Sequence, residues 1–138
     1  MKQNGAVYFY NLNSERGRQI RMLCLTLGLK IRVVDRAQYT EAIGAIAGVP
    51  GYSLSGETYK GEGFEDEMLI LKGFTGGMLD SFLHGFRKMK IQPVALKAVL
   101  TEANCGRNSL EHHDELVKEH ESMHSQTPSE VTDNKETE

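Results

Sequence analysis

Apolar residues near the start of the chain change period twice within thirty residues. Ala6-Val7-Tyr8-Phe9-Tyr10 is an unbroken run of strand-forming residues and predicts a first strand. Ile20, Leu23, Cys24 and Leu27 then recur at i, i+3, i+4 and i+7, the stripe of an amphipathic helix. Asn11 to Ser14 supplies N-cap chemistry before it, and Gly28 stands where a left-handed C-cap belongs. Ile31 to Val34 returns to strand character.

The same order recurs later. Glu67 to Lys72 predicts a third strand, and Thr75 is placed to cap a helix carrying Leu79, Phe82, Leu83 and Phe86 on one stripe. Arg87, Lys88 and Lys90 close that helix at its negative dipole end. Pro93 blocks its continuation, and Val94 to Leu100 reads as a fourth strand. The halves share a layout but little residue identity.

Between them, Thr40 to Val49 is a short helix candidate rich in small residues, with a GxxxG at Gly44 and Gly48 that suggests close packing on a sheet. It leads into GVPGYSLSGETYKGEGFEDEM, Gly48 to Met68, which has no helix or strand period. A last, mostly polar helix is expected from Leu110 to about His124, with a thin apolar edge of Leu110, Leu116, Val117 and Met123. The expected organisation is one α/β domain over 1–124, with a long glycine-rich connection at about 48–66. An acidic tail over 125–138 has too few apolar residues to fold.

Two β-α-β halves joined in this way fit an α+β, ferredoxin-like split β-α-β sandwich with a long insertion between strands 2 and 3 and an extra C-terminal helix. The alternative is an open parallel α/β sheet in which the central helix serves as a crossover.

Charge narrows the function classes. The net charge of −3 is carried by the segment from Ser125 onward, and the rest of the chain balances. A neutral body with an acidic tail argues against nucleic-acid binding through phosphate neutralisation. The charges are nonetheless sorted: Glu15 to Arg36 is net +4, Glu57 to Glu67 net −4, Ser81 to Thr101 net +4 and Glu111 to Glu121 net −4. No apolar run is long enough to span a membrane, and MKQNGAVYFYNLN lacks the apolar core of a signal peptide, so a cytoplasmic location is expected. Cys24 and Cys105 form no CxxC pair and are expected to be reduced thiols.

Several motifs raise specific chemistry. His120-Glu121-Ser122-Met123-His124 matches H-E-x-x-H, in which two histidines one helical turn apart bind zinc and the glutamate activates water. His113, seven residues earlier, falls on about the same helical face. The motif lies at the end of a polar helix, with no later folded segment to wall a cleft. Cys105 sits beside Arg107 before a helix start, where a thiol pKa would fall, but no base is fixed near it by sequence. Gly56 and Gly61 have the spacing of P-loop glycines, yet Glu62 stands where Lys is required. Gly61-Glu62-Gly63 lacks the third dinucleotide glycine. Glu57, Glu62, Glu65, Asp66 and Glu67 lack the spacing of a calcium loop. Thr75-Gly76-Gly77 offers backbone amides as a generic anion site. No cofactor motif is complete, and none is expected.

EAIGAIAGVPGYSLSGETYKGEGFEDEMLILKGF, FLHGFRKMKIQPVALKAVLTEAN and the EL..EH at Glu115 to His120 together resemble a small family of uncharacterised domains from clostridia and related Firmicutes, one of unknown function. The resemblance covers most of residues 6–120. It implies a cytosolic bacterial protein and brings no activity or catalytic residues. The strand–helix plan with a long loop is also similar to signalling proteins of the PII kind, which use such a loop to engage partners. That likeness is at the level of layout alone.

These readings lead to a non-enzymatic binding or regulatory module that self-associates and engages an unknown protein or small-molecule ligand. Tyr52, Tyr59, Lys60, Gly61, Gly63 and Phe64 of the long connection are the candidate ligand-binding residues. The competing expectation is a small enzyme or metal-dependent protein built on His113, His120 and His124.

Overall fold

The structure, a computed structural model, describes residues 5–126, the side chains of 123–126 excepted. Elements follow in the order β1 (Ala6–Tyr10), α1 (Glu15–Leu27), β2 (Lys30–Val33), a 3-10 turn (Arg36–Gln38), α2 (Ile43–Ile46), β3 (Met68–Lys72), α3 (Gly76–Lys88), β4 (Leu96–Val99) and α4 (Ser109–Gln126). The long helices begin and end where local chemistry directs. Ser14 Oγ accepts from the Gly17 amide, and Gly28, at φ 73°, turns the chain so that the Gly28 and Leu29 amides close on Leu25 and Cys24 carbonyls. Thr75 Oγ1 accepts from the Met78 amide at the head of α3.

The four strands form one mixed sheet in the order β2-β1-β3-β4. β1 runs parallel to β2, with Ala6 opposite Lys30, and antiparallel to β3, with Ala6 opposite Lys72. β3 in turn runs parallel to β4. Each half is thus a closed β-α-β unit, and the halves meet through the antiparallel centre.

This corrects both expected topologies. In a split unit another strand separates the two that a helix joins; here β1 lies directly beside β2, and β3 beside β4. An open parallel sheet is ruled out by the antiparallel β1–β3 pair. The physical reason lies in the connections. The split arrangement makes β2 and β3 neighbours, but residues 34–67 separate them, so no hairpin holds them together. β2 follows α1 after only two residues and docks beside its own partner.

β1 is buried on both faces, and its alternation divides the interior in two. Val7 and Phe9 join Leu69 and Leu71 beneath α1 and α3, with Ile20, Leu23, Cys24, Phe82 and Phe86 completing that core. The helices meet closely because a Cβ on Gly85 would lie 2.4 Å from Leu23 Cδ1. Burial pushes the Cys24 thiol up to about 12, which makes it a packing residue. On the other face Tyr8, Tyr10, Met68, Ile70 and Leu96 are covered by Tyr39, by Ile43 and Ala47 near α2, and by Leu116 and Val117 of α4. α2 has four residues and could not cover that face alone.

The GxxxG residues serve other ends than packing on the sheet. Gly44 makes room for the Tyr52 ring, and Gly48 adopts φ 73° in a turn with open space around its α-carbon. The acidic tail expected over 125–138 lies outside the described residues, apart from two positions that continue α4. No described helix is long and apolar enough to cross a membrane.

His112 is buried at the end of the first turn of α4, and its Nδ1 has no hydrogen-bond partner. Desolvation, reinforced by Arg107, pushes its pKa down to about 4, while Glu115 opposes the shift. Between about 4 and 6.5 the unfolded chain binds more protons at this position than the folded one. Folding stability therefore rises with pH across that window and falls on acidification. His112→Leu is expected to flatten this pH dependence. At pH 7 it should be neutral or stabilising by on the order of 1 kcal/mol, because an unpaired buried nitrogen is removed. Urea unfolding at several pH values between 4 and 7.5 checks both outcomes.

Candidate functional site

Residues 49–66 have no regular secondary structure, yet side chains hold them to the body at spaced points. The first is Glu41, which is 5% exposed. Its two carboxylate oxygens accept the amides of Ser55, at 2.7 Å, and Gly56, at 2.9 Å. These bonds hold its carboxyl below the usual range against the opposing effect of desolvation. Its contribution to folding is present above about pH 4.5 and is lost as pH falls through the lowered value.

The second anchor is aromatic. Tyr39 is buried, and Phe64 stacks on it at 4.8 Å between ring centres. His113 lies nearly parallel to the same Phe64 ring, with centres 4.0 Å apart. Tyr59 stacks on Tyr39 from another side, and Tyr10 completes the cluster from β1. Backbone bonds hold these rings in place. The Tyr59 amide donates to the Ala37 carbonyl, and the Gly63 amide donates to Tyr59 Oη. Gly63 sits at φ 71°, and a Cβ there would meet the Tyr39 ring at 2.7 Å, so glycine alone fits this position without strain.

The end of the segment is fixed from the opposite direction. Asn11, itself at φ 61°, donates its side-chain amide to the carbonyls of Phe64 and Asp66. His113 Nε2 lies 2.8 Å from Asp66 Oδ2. Glu67 is held by Ser14 Oγ and the Arg16 guanidinium. The segment is therefore a shaped arm laid across one sheet face.

The candidate ligand residues divide accordingly. Tyr59, Gly63 and Phe64 are half-buried and fasten the arm, and Gly61 lies against the Tyr59 phenol. Lys60 is exposed. Tyr52 rests on Gly44 while remaining 37% exposed, and Leu54 near it in the chain is 54% exposed. Cys105 is buried, its Cβ close to Gly44.

The residues of the competing expectation are dispersed. His113 is committed to Phe64 and Asp66, His120 is exposed on the outer part of α4, and the His124 side chain lies outside the described residues. Among the described residues no three His, Cys, Asp or Glu side chains are grouped to hold a metal ion. The acids of the arm are likewise separated, Asp66 toward His113 and Glu67 toward Arg16.

Sequence reasoning missed Glu41, Tyr39 and Asn11. A lone glutamate in a small-residue stretch, and an asparagine directly after a strand, were the only local signals for two of them.

Glu41→Gln leaves an amide N–H where a second acceptor is needed, so the arm should loosen around Ser55. Trypsin cleavage at Lys60 is expected to be about tenfold faster or more than in the unaltered protein, with cleavage elsewhere little changed. A time course resolved by mass spectrometry checks this.

Residues 67–123 match a family model described as a domain of unknown function (DUF3783). That span runs from the start of β3 through α3 and β4 into α4, and leaves out β1, α1, β2 and the arm. No curated protein and no solved structure gives a significant match to the chain. The second half of the fold, from β3 into α4, is thus similar to a domain of unknown function (DUF3783).

Proposed function

We propose that the protein is a non-enzymatic binding module that engages a protein partner through its arm. The observation carrying this reading is the contrast within the arm itself: Glu41 and the aromatic cluster hold its backbone, while Tyr52 and Leu54 stay exposed at its first bend. A long segment without secondary structure costs conformational entropy to hold, and in compact domains such segments are mostly functional. Fixing it before binding reduces the ordering cost at the moment of association.

The roles follow from placement. Tyr52 supplies amphipathic contact area, Leu54 an apolar anchor and Lys60 a mobile charge. Tyr59, Gly61, Gly63 and Phe64 set the arm's shape. Exposed Glu57, Glu62 and Glu65 favour a partner with a basic rim around an apolar pocket. A self-associating module is one form of this reading, with a second copy as the partner.

A photo-reactive residue in place of Leu54 would capture and identify the partner, which can then be purified and titrated. Tyr52→Ser combined with Leu54→Ser is expected to weaken that complex about tenfold or more while changing folding stability by less than about 1 kcal/mol. Undiminished affinity in the double variant would remove the arm as the binding surface.

A further inference from the structure

The sheet face that carries the arm also holds a cavity of about 300 Å³, beyond α2 and away from the aromatic cluster. Strand register builds it. Lys30 of β2, Ala6 of β1 and Lys72 of β3 stand in one row across the sheet. Two strand spacings separate the lysines, about 10 Å, and between them is only the methyl of Ala6. In the adjacent row Arg32 stands opposite Tyr8. Ile46, Ala47 and Gly48 close the remaining side.

The polar side chains of this cavity are all cations or a phenol. Lys30, Arg32 and Lys72 line it, and no carboxylate does. Lys30 and Arg32 form no ion pair among the described residues. Lys72 Nζ donates one hydrogen bond to the Ala47 carbonyl, at 2.6 Å, and keeps two N–H groups for another acceptor. Tyr8, 6% exposed as a whole residue, also lines the cavity. Burial raises the Tyr8 pKa and the nearby Arg32 charge opposes the shift. Its hydroxyl is therefore a donor at neutral pH.

The geometry points to a binding site for a small phosphorylated molecule, its phosphate held by Arg32, Tyr8 and the two lysines. The Arg32 fork matches phosphate oxygens in pairs, the lysines add point charge from both sides, and the Tyr8 hydroxyl gives a directional contact at the floor. The volume lies at the lower end of small-molecule pockets, which suits a phosphate ester with a short organic body over Ala6, Ala47 and Gly48. The three cations share one cavity, whereas a nucleic-acid polymer calls for a track of cations along a surface. Another cavity, of about 230 Å³ beside α1, lacks this character: its Arg21 lies over the Phe9 ring.

The test is a titration followed by amide chemical shifts, with inorganic phosphate, pyrophosphate and glycerol 3-phosphate at constant ionic strength. Saturable changes are expected around 6–8, 30–32, 47–48 and 72, with a Kd below about 1 mM for at least one phosphate ester. Arg32→Gln and Lys72→Gln should each weaken binding about tenfold. Tyr8→Phe should weaken it measurably with the fold retained, and Lys88→Gln, at an exposed position of α3, should leave it unchanged. Linear, unsaturated shifts over all basic residues would overturn the proposal. Affinity unaltered by Arg32→Gln, an exposed edge-strand position that folding tolerates, would overturn it too. Vesicles containing phosphatidic acid form a separate arm: vesicle binding without a response to the soluble probes would overturn the small-molecule assignment.

Discussion

The antiparallel pairing of β1 with β3, from Ala6 opposite Lys72 to Tyr10 opposite Met68, is the constraint on which the rest of the structure depends. Both strands are almost wholly buried, so every residue of the pair is assigned to one of two cores by its parity alone. A slip of one residue would send Val7 and Phe9 to the arm side and Tyr8 and Tyr10 under the helices. The same register sets Lys72 across from Ala6 and beyond it Lys30, so the cationic cavity is a consequence of the pairing that builds the cores.

The two faces are covered by different physics. Beneath α1 and α3 the contact is regular, two amphipathic helices meeting at Leu23 and Gly85 over aliphatic and phenyl side chains. The opposite face has only a four-residue helix, α4 and an irregular arm. Such a layer has few backbone bonds of its own. It substitutes directed contacts: two amides on Glu41, parallel rings around Tyr39, and a carbonyl pair on Asn11. Burial keeps the Tyr39 phenol protonated well above neutrality, so charge does not disturb the stack.

Elements whose signals are local were legible in the sequence. The stripes of α1 and α3 and the caps at Ser14, Gly28 and Thr75 each depend on residues within a turn or two, and the strands are found within about two positions of where they were expected. Neighbour order was not legible, because β2 can dock beside β1 or β3 with the same apolar pattern and only the chain between them decides. In the arm the aromatic residues were visible as a set, but whether they face outward or bind the arm depended on Tyr39, Tyr10 and His113 from distant segments. Glu41 shows the limit most clearly, since its partners lie fourteen and fifteen residues on and share no motif with it. The cationic cavity left half a trace: Lys30-x-Arg32 on a strand puts two cations on one face, while Lys72 joins them only through register.

Whether residues 49–66 form a fixed layer of the fold is read out by hydrogen exchange at single amides. The Ser55, Gly56, Tyr59 and Gly63 amides, bonded to Glu41, Ala37 and the Tyr59 hydroxyl, should exchange about a hundredfold or more slowly than in an unstructured peptide of the same sequence. Exchange of all four at the unstructured rate, with β1 and β3 amides still protected, would mean that the arm is not part of the folded layer.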